Sequence, residues 1–376
     1  MNNNISYERY GRQMILRHFG QAGQEKLSQA KILVIGAGGL SCPALQYLAA
    51  AGIGKIGIVD DDIVALSNLH RQTLYNVNDI GSSKAERAAD ALRKMNPEIV
   101  TISYNERLTN QNALVILDEY DIIIDGTDNF SSRYMINDAC VLLNKPFVYG
   151  AVSQFQGQLA IFNYKKTKSD KSVNYRDLFP GPLKENEVLN CAEAGVLGVL
   201  PGIIGTMQAN ETIKLITGIG TPLINRLLTY NALNNHVYEL ELNTRQETRS
   251  LIPEDENAFL QMDYDWLCGT GDVPYEIDFS LFNEMLTSGN IDVIDVRELN
   301  ETPAINEFIS LRIPFNQLHE NMSLVKSDTI VMICQSGKKS LQAAKELKTI
   351  FGTSKEIFSL RGGIIQWKQQ HAKELL

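Results

Sequence analysis

Two groups of residues in this chain have the types and spacing to do chemistry. The first opens at the turn GAGGLS, directly after the apolar run KILVIG (31–36). Gly36, Gly38 and Gly39 permit a tight turn and let backbone N–H groups approach a phosphate at a helix N-terminus. Asp60 closes the next apolar run, KIGIVD (55–60), where a carboxylate could bind ribose hydroxyls. SNLHRQ follows with Ser67, Asn68, Leu69, His70 and Arg71, then GSSK with Lys84, then TDN with Asp128 and Asn129. Arg71 and Lys84 could neutralise phosphates, and Asn68 could hold an anionic oxygen without adding charge. Asp128 is an oxygen ligand of the kind a hard cation such as Mg2+ prefers. The second group centres on Cys334, which ends TIVMIC (329–334) and enters CQSGKKS. A short loop with Gly337 that opens a helix can turn N–H groups toward the sulfur. With Lys338 and Lys339 nearby, that favours the thiolate and a persulfide.

Each signal has a plainer reading when taken alone. The glycine turn suits any nucleotide with a ribose, NAD included. Lys84 could be a solvated lysine on an amphipathic helix, and Cys334 a buried strand-end residue. Asp60, Asp61 and Asp62 cannot all bind one ribose, so Asp61 and Asp62 read as loop or capping residues. Asp295 and Arg297 in VIDVRE read as braces of the fold.

The elements that must position these residues alternate. Strand-like runs lie at 31–36, 55–60, 99–104, 121–126 and 146–150, with helical patterns near 39–51, 82–95, 110–118 and 130–143. Near-continuous apolar strands alternating with helices predict a mostly parallel sheet covered on both faces, a Rossmann-like α/β domain. GQLAIFN (157–163) is expected to pair antiparallel. The apolar stretch Val196–Met207 is interrupted by Pro201 and glycines, and it reads as a buried helix rather than a membrane span. A polar, acidic stretch breaks the pattern, and a smaller α/β pattern starts near Tyr275. The expected division is a larger α/β domain over 1–245, a linker over 246–273 and a small domain over 274–376.

With RYGRQ (9–13) added, the motifs of the first group resemble the MoeB/ThiF/HesA family of ubiquitin-activating-like enzymes over roughly residues 5–245. The resemblance implies ATP-dependent adenylation of the C-terminal glycine of a ubiquitin-like sulfur carrier, with Mg2+. It assigns Arg12 to the ATP of a neighbouring subunit, which implies a homodimer, and Asn129 to the adenosine side. Cys191, in NCAEAGVLGVLPG, matches a cysteine that forms a covalent bond to the carrier in some members; a small buried residue is the competing reading. Two CxxC pairs that bind structural zinc in most members stand here as Asn174–Asp177 (NYRD) and Asp265–Cys268 (DWLC), so no structural zinc is expected. The 274–376 stretch resembles a rhodanese-like sulfurtransferase, with Cys334 as its persulfide carrier.

Composition bounds these readings. The chain has 376 residues, 44% hydrophobic and 21% charged, which suits a folded protein of two or three domains and excludes a disordered one. A formal charge of −9 argues against sequence-independent nucleic-acid binding. Five scattered cysteines do not form a disulfide framework and fit a reducing compartment. The polar N-terminus lacks a signal-peptide core, so a cytoplasmic protein without membrane or nucleic-acid partners is expected. The leading reading is carrier adenylation coupled to persulfide transfer, in molybdopterin biosynthesis ahead of thiamine biosynthesis, with a sulfur donor such as a cysteine desulfurase. A nicotinamide-dependent oxidoreductase and a non-catalytic carrier-binding scaffold are the alternatives.

Overall fold

The computed structural model describes residues 6–165, 172–181, 195–262, 264, 275–298, 301, 305, 307–352, 354–364 and 367–368. The chain divides into two units, Met1–Gly271 and Asp272–Leu376.

In the first unit, β1 (Lys31–Ile35), β2 (Lys55–Val59), β3 (Val100–Tyr104), β4 (Ile122–Asp125) and β5 (Phe147–Ser153) run parallel in the order β3-β2-β1-β4-β5. β6 (Gln156–Phe162), β7 (Arg226–Asn231) and β8 (His236–Glu241) extend the sheet antiparallel. β1 shows why the strands read as continuously apolar. Ile32 and Val34 enter the core on one face, while Leu33 and Ile35 enter the core on the other. Helices cover both faces: α1 (Tyr7–Met14), α2 (Gly20–Gln29), α3 (Ser41–Ala51), α4 (Lys84–Met95), α5 (Ala113–Asp118), α6 (Phe130–Leu142), the short α7 (Tyr175–Leu178) and α8 (Val199–Thr217). The expected strands, the antiparallel β6 and the four helical patterns after β1 all appear with ends shifted by a few residues. The apolar stretch near Val196 is the start of α8, which runs on to Thr217 and buries Leu200, Ile204 and Ala209. Among the described residues no helix is long and apolar enough to cross a membrane.

The expected linker needs correcting. Its described part does not leave the first unit: α9 (Glu256–Gln261) buries Phe259, and Thr248 and Tyr264 are buried as well. The stretch looked structureless because its apolar residues are few and irregularly spaced, yet those few sit in a core already built by α6 and β5.

The second unit is a five-stranded parallel sheet in the order β11-β10-β12-β13-β9. Its strands are β9 (Glu276–Ile277), β10 (Ile291–Asp295), β11 (Leu311–Arg312), β12 (Thr329–Ile333) and β13 (Glu356–Leu360), with helices α10 (Phe279–Ser288) and α11 (Lys338–Phe351). Ile330 and Met332 face one core and Val331 and Ile333 the other, as in β1. Asp295 and Arg297 do brace this unit: the fully buried guanidinium donates through Nε and Nη2 to the carboxylate at 3.0 and 2.8 Å.

Candidate active site

A cleft of about 780 Å3 opens at the C-terminal ends of β1, β2 and β4. Strand order reverses direction beside β1, which is where open α/β sheets leave a crevice for ligands. Of the residues singled out from sequence, Gly36, Gly38, Gly39, Asp60, Ser67, His70, Arg71, Lys84, Asp128 and Asn129 line it. Asn68 and Leu69 do not. Asn68 spends its side-chain oxygen on the Ala65 N–H at 3.2 Å, closing the 3-10 turn Leu66–Asn68, and Leu69 packs against the core. Arg12 is exposed on α1 and does not line the cleft of its own chain.

The turn after β1 is held on both sides of one residue, Ala37. Gly36 has φ +84°, and a Cβ there would lie 2.8 Å from the Gly126 carbonyl, so only glycine fits. Next to it, the Ala37 N–H donates to Asp60 Oδ2 at 2.6 Å, and the Ala37 carbonyl accepts from the Tyr75 hydroxyl at 2.8 Å. Tyr75 also reaches the Lys84 carbonyl at 3.2 Å, and Asp60 Oδ1 accepts from the Asp62 N–H at 2.9 Å. Lys84, buried at the start of α4, pairs through Nζ with Asp62 Oδ2 at 2.8 Å. Asp62 is therefore more than the loop residue expected: it is the partner of the lysine. Burial raises the Asp60 carboxyl above its ordinary range, against the lowering effect of the Ala37 N–H and Lys84.

Arg71 lies along the cleft wall, donating through Nη1 to the Ser67 carbonyl at 3.1 Å and to His70 Nε2 at 2.8 Å. That contact fixes His70 with Nε2 as acceptor. Asn129 caps α6 by accepting from the Ser132 N–H at 2.9 Å, so its oxygen already has a structural task. The Asp128 carboxylate is exposed to the cleft and has no hydrogen bond or ion pair with any described residue. Such a carboxylate suits a hard cation carried by phosphates. Sequence reading missed Arg133, which lines the cleft while pairing with the fully buried Asp125 at 3.2 Å and donating to the Thr127 carbonyl at 2.8 Å. Asp125 ends β4, and an acid at the end of an otherwise apolar strand was its one signal. The cleft is not purely basic: Arg71, Lys84, Arg107 and Arg133 share it with Asp60, Asp61, Asp62, Glu106 and Asp128.

Below the cleft, the NYRD segment is part of a buried polar network. Arg176 grips Asp138 of α6 with Nε and Nη2 at 2.8 and 2.7 Å, and the Tyr264 hydroxyl donates to the same carboxylate at 3.0 Å. Asp177 accepts from both N–H groups of Asn174 it can reach and from the Thr248 hydroxyl at 2.6 Å. These bonds tie 174–177 to α6 and to the 245–264 stretch. Among the described residues no cluster of His, Cys, Asp and Glu could hold a metal. Cys268 and Asp265 lie outside the described residues, as does Cys191.

In the second unit, Cys334 directly follows β12 and is buried. Sγ accepts from the Ser340 N–H and from the Ser340 hydroxyl, each at 3.3 Å, and the Ser359 hydroxyl donates to Ser340 Oγ at 2.9 Å. Gly337 has φ +91°, and a Cβ there would meet the Gly362 nitrogen at 2.9 Å. The loop therefore curls as expected, though among the described residues one backbone N–H reaches the sulfur instead of several. Lys339 points to Glu301 at 3.4 Å, and the Lys338 side chain lies outside the described residues.

Residues 10–251 match the ThiF family and residues 278–370 match the rhodanese-like domain. The chain is 46% identical over 263 residues to a sulfur carrier protein adenylyltransferase of Thermus thermophilus, covering 70% of this chain and 96% of that protein. It is 38% identical over 379 residues to the probable adenylyltransferase/sulfurtransferase MoeZ of Mycobacterium tuberculosis, covering 98% and 94%. It is 34% identical to the adenylyltransferase and sulfurtransferase MOCS3 of Xenopus laevis, covering 96% and 86%. Among solved structures, Escherichia coli MccB with ATP superposes with a TM-score of 0.55 at 22% identity, over 65% of this chain and 74% of that one, a likeness of fold.

Proposed function

This chain belongs to the ThiF family and carries a C-terminal rhodanese-like domain, and on that premise we propose that it activates and sulfurates a ubiquitin-like sulfur carrier. It is an adenylyltransferase and sulfurtransferase, as two of its full-length relatives are named, and a third, named a probable molybdopterin-synthase adenylyltransferase, supports a place in molybdopterin biosynthesis. The observation that supports this most strongly is the coincidence of one cleft with Gly36–Gly39, Arg71, Lys84 and Asp128, in a chain aligned end to end with such relatives.

In the first step a terminal oxygen of the carrier's carboxylate attacks the α-phosphorus of ATP, and the bond to pyrophosphate breaks. Two anions must meet, so positioning and charge neutralisation dominate catalysis. The glycine turn receives phosphate oxygens, with Asp60 and Tyr75 fixing Ala37 within it. Lys84 and Arg71 offset the charge that builds on the phosphates. Lys84 must exchange Asp62 for phosphate, an exchange made easy because Asp62 is 71% exposed and re-solvates when released. Asp128 would hold Mg2+, which supplies charge neutralisation when bound. Arg12, idle in its own chain's cleft, serves the cleft of a second copy, and the active species is a homodimer. Asn68 reaches the nucleotide only by giving up its Ala65 contact.

In the second step a persulfide on Cys334 attacks the acyl carbon of the adenylate and AMP leaves, giving an acyl disulfide. A thiol then attacks the Cys334 sulfur, releasing the thiocarboxylate and leaving a disulfide; Cys191 is our candidate for that thiol. A cysteine desulfurase would load the persulfide, in the cytoplasm. The test is mass spectrometry of carriers of the molybdopterin and thiamine types after incubation with the protein, ATP, Mg2+ and a persulfide source. A thiocarboxylate on the molybdopterin-type carrier, absent with Cys334→Ser, is expected. A thiocarboxylate that forms equally well with Cys334→Ser would remove the second unit from the reaction.

A further inference from the structure

The sulfur of Cys334 stands at the end of a short chain of hydroxyls. Gly337 is the N-cap of α11 and has no side chain to cap it, so the N–H of Ser340, in the first turn, is available to the sulfur and donates at 3.3 Å. The Ser340 hydroxyl lies 3.3 Å from Sγ and 2.9 Å from the Gly337 carbonyl. A helical serine often spends its proton on a carbonyl one turn back, and alone that contact would carry no meaning. Ser359 sets this one apart. It comes from β13, 19 residues further along the chain, and donates to Ser340 Oγ at 2.9 Å. Both serines are fully buried.

The protons of this chain can be counted. Two hydroxyl hydrogens face three acceptors: Sγ, the Gly337 carbonyl and Ser340 Oγ. While the sulfur keeps its own proton it is a weak acceptor, and the Ser340 hydrogen belongs on the carbonyl. Once the sulfur is an anion it is the strongest acceptor in reach, and the hydrogen turns to it. The carbonyl is not stranded, because the Leu341 N–H donates to it at 3.0 Å and the Ser359 hydroxyl lies 3.4 Å away. Ser359 meanwhile donates to Ser340 Oγ, which makes Ser340 the better donor. Among the described residues, the charged side chains on the elements around this loop are engaged with one another: Arg297 with Asp295, Lys339 with Glu301 and Arg361 with Glu276.

We propose that Ser340 and Ser359 form a hydroxyl relay that stabilises the Cys334 thiolate, with Ser340 a catalytic donor to the sulfur and Ser359 a positioning residue behind it. The inference rests on the reading of Cys334 as persulfide carrier given above. The step it serves is loading. The Cys334 thiolate attacks the outer sulfur of a donor persulfide and a new S–S bond forms. The donor's own S–S bond breaks, and its inner sulfur leaves as a thiolate with the electron pair, while the transferred sulfur keeps its proton.

The test is a pH titration of the thiolate's ultraviolet absorbance in the full-length protein, read for each variant as the difference from the same protein carrying Cys334→Ala. Ser340→Ala is expected to move the Cys334 midpoint up by about one to two pH units, the worth of a hydrogen bond to a charged group. Ser359→Ala should move it up by about half a unit, and by nothing measurable when Ser340 is already alanine, because Ser359 acts through it. Loading of Cys334 by glutathione persulfide, followed by mass spectrometry at a pH below all the midpoints, should be about three- to tenfold slower in Ser340→Ala, since the loss of thiolate outweighs its gain in nucleophilicity. An unchanged midpoint in Ser340→Ala overturns the relay. So does an equal shift from Ser359→Ala with and without Ser340, which would mark a general change in solvation of the site. Lower melting temperatures with unchanged midpoints make the two serines packing residues only, and overturn it too. A parent whose Cys334 takes up no sulfur from the persulfide overturns the carrier reading itself; a parent that loads beside serine variants that titrate as it does overturns the relay alone.

Discussion

Two charge pairs in the first unit have nearly equal distances and opposite purposes. Arg176 and Asp138 are 2% and 0% exposed, joined by two hydrogen bonds and backed by Tyr264. Lys84 and Asp62 meet at 2.8 Å as well, but the aspartate side chain is 71% exposed and the contact is single. The first pair cannot open without stranding a charge in a dry interior. The second can open at small cost, since one partner returns to water. The Lys84–Asp62 contact is a pair that can be let go, and the Arg176–Asp138 clamp is one that cannot.

Breaking the clamp should produce the largest effect. Arg176→Ala leaves Asp138 buried without its partner, which costs about 3–5 kcal/mol. Urea unfolding of the full chain, read on the first unit's transition, should show a loss of that size. A change under about 1 kcal/mol would dissolve the distinction between the two pairs. The second effect is on chemistry. Lys84→Ala should slow carrier adenylation by about 10²- to 10³-fold, the usual loss for a donor to a developing charge. Its unfolding free energy should move by less than about 1 kcal/mol, since Asp62 simply hydrates. Equal damage to stability and rate would mean that Lys84 is structural.

A third effect concerns pH and the helix that follows the glycine turn. Burial pushes the Cys42 thiol up to about 12, beneath the Ala37 carbonyl that its sulfur approaches at 3.8 Å. In the unfolded chain it ionises near about 8.5. Between those values the unfolded state sheds a proton that the folded state keeps, so stability present below about pH 8.5 is lost as pH rises toward 12. The loss from this thiol is about 2 kcal/mol at pH 10. Cys42→Ala should flatten the alkaline slope by that amount, and an unchanged slope would place the thiol in contact with solvent.

Much of this was legible in the sequence, and the rest has physical reasons for being hidden. The glycine turn, the alternating strands and the Cys334 loop carry local signals: φ above zero at Gly36 and Gly337, and apolar runs buried on both faces. The α7–α6 clamp carries none. Arg176 and Asp138 look like two ordinary charged residues until the fold brings them together. The β7–β8 hairpin was missed because every residue of β8 is exposed, which removes the alternation that marks a strand. The stretch through Tyr264 reads as a linker in sequence because two aromatic side chains in a polar segment leave no period. Within the cleft, the charged residues announced themselves by motif. Arg133 did not, since α6 is buried all round and the partner of Arg133 is visible only in three dimensions.

Pyrophosphate exchange into ATP tests the central claim most directly. With Mg2+ and a molybdopterin-type carrier ending in glycine, the full-length protein should exchange labelled pyrophosphate into ATP, and Lys84→Ala should lower that rate by about a hundredfold or more. No exchange by the parent with any ubiquitin-fold carrier, in a preparation shown to be folded, would contradict the account.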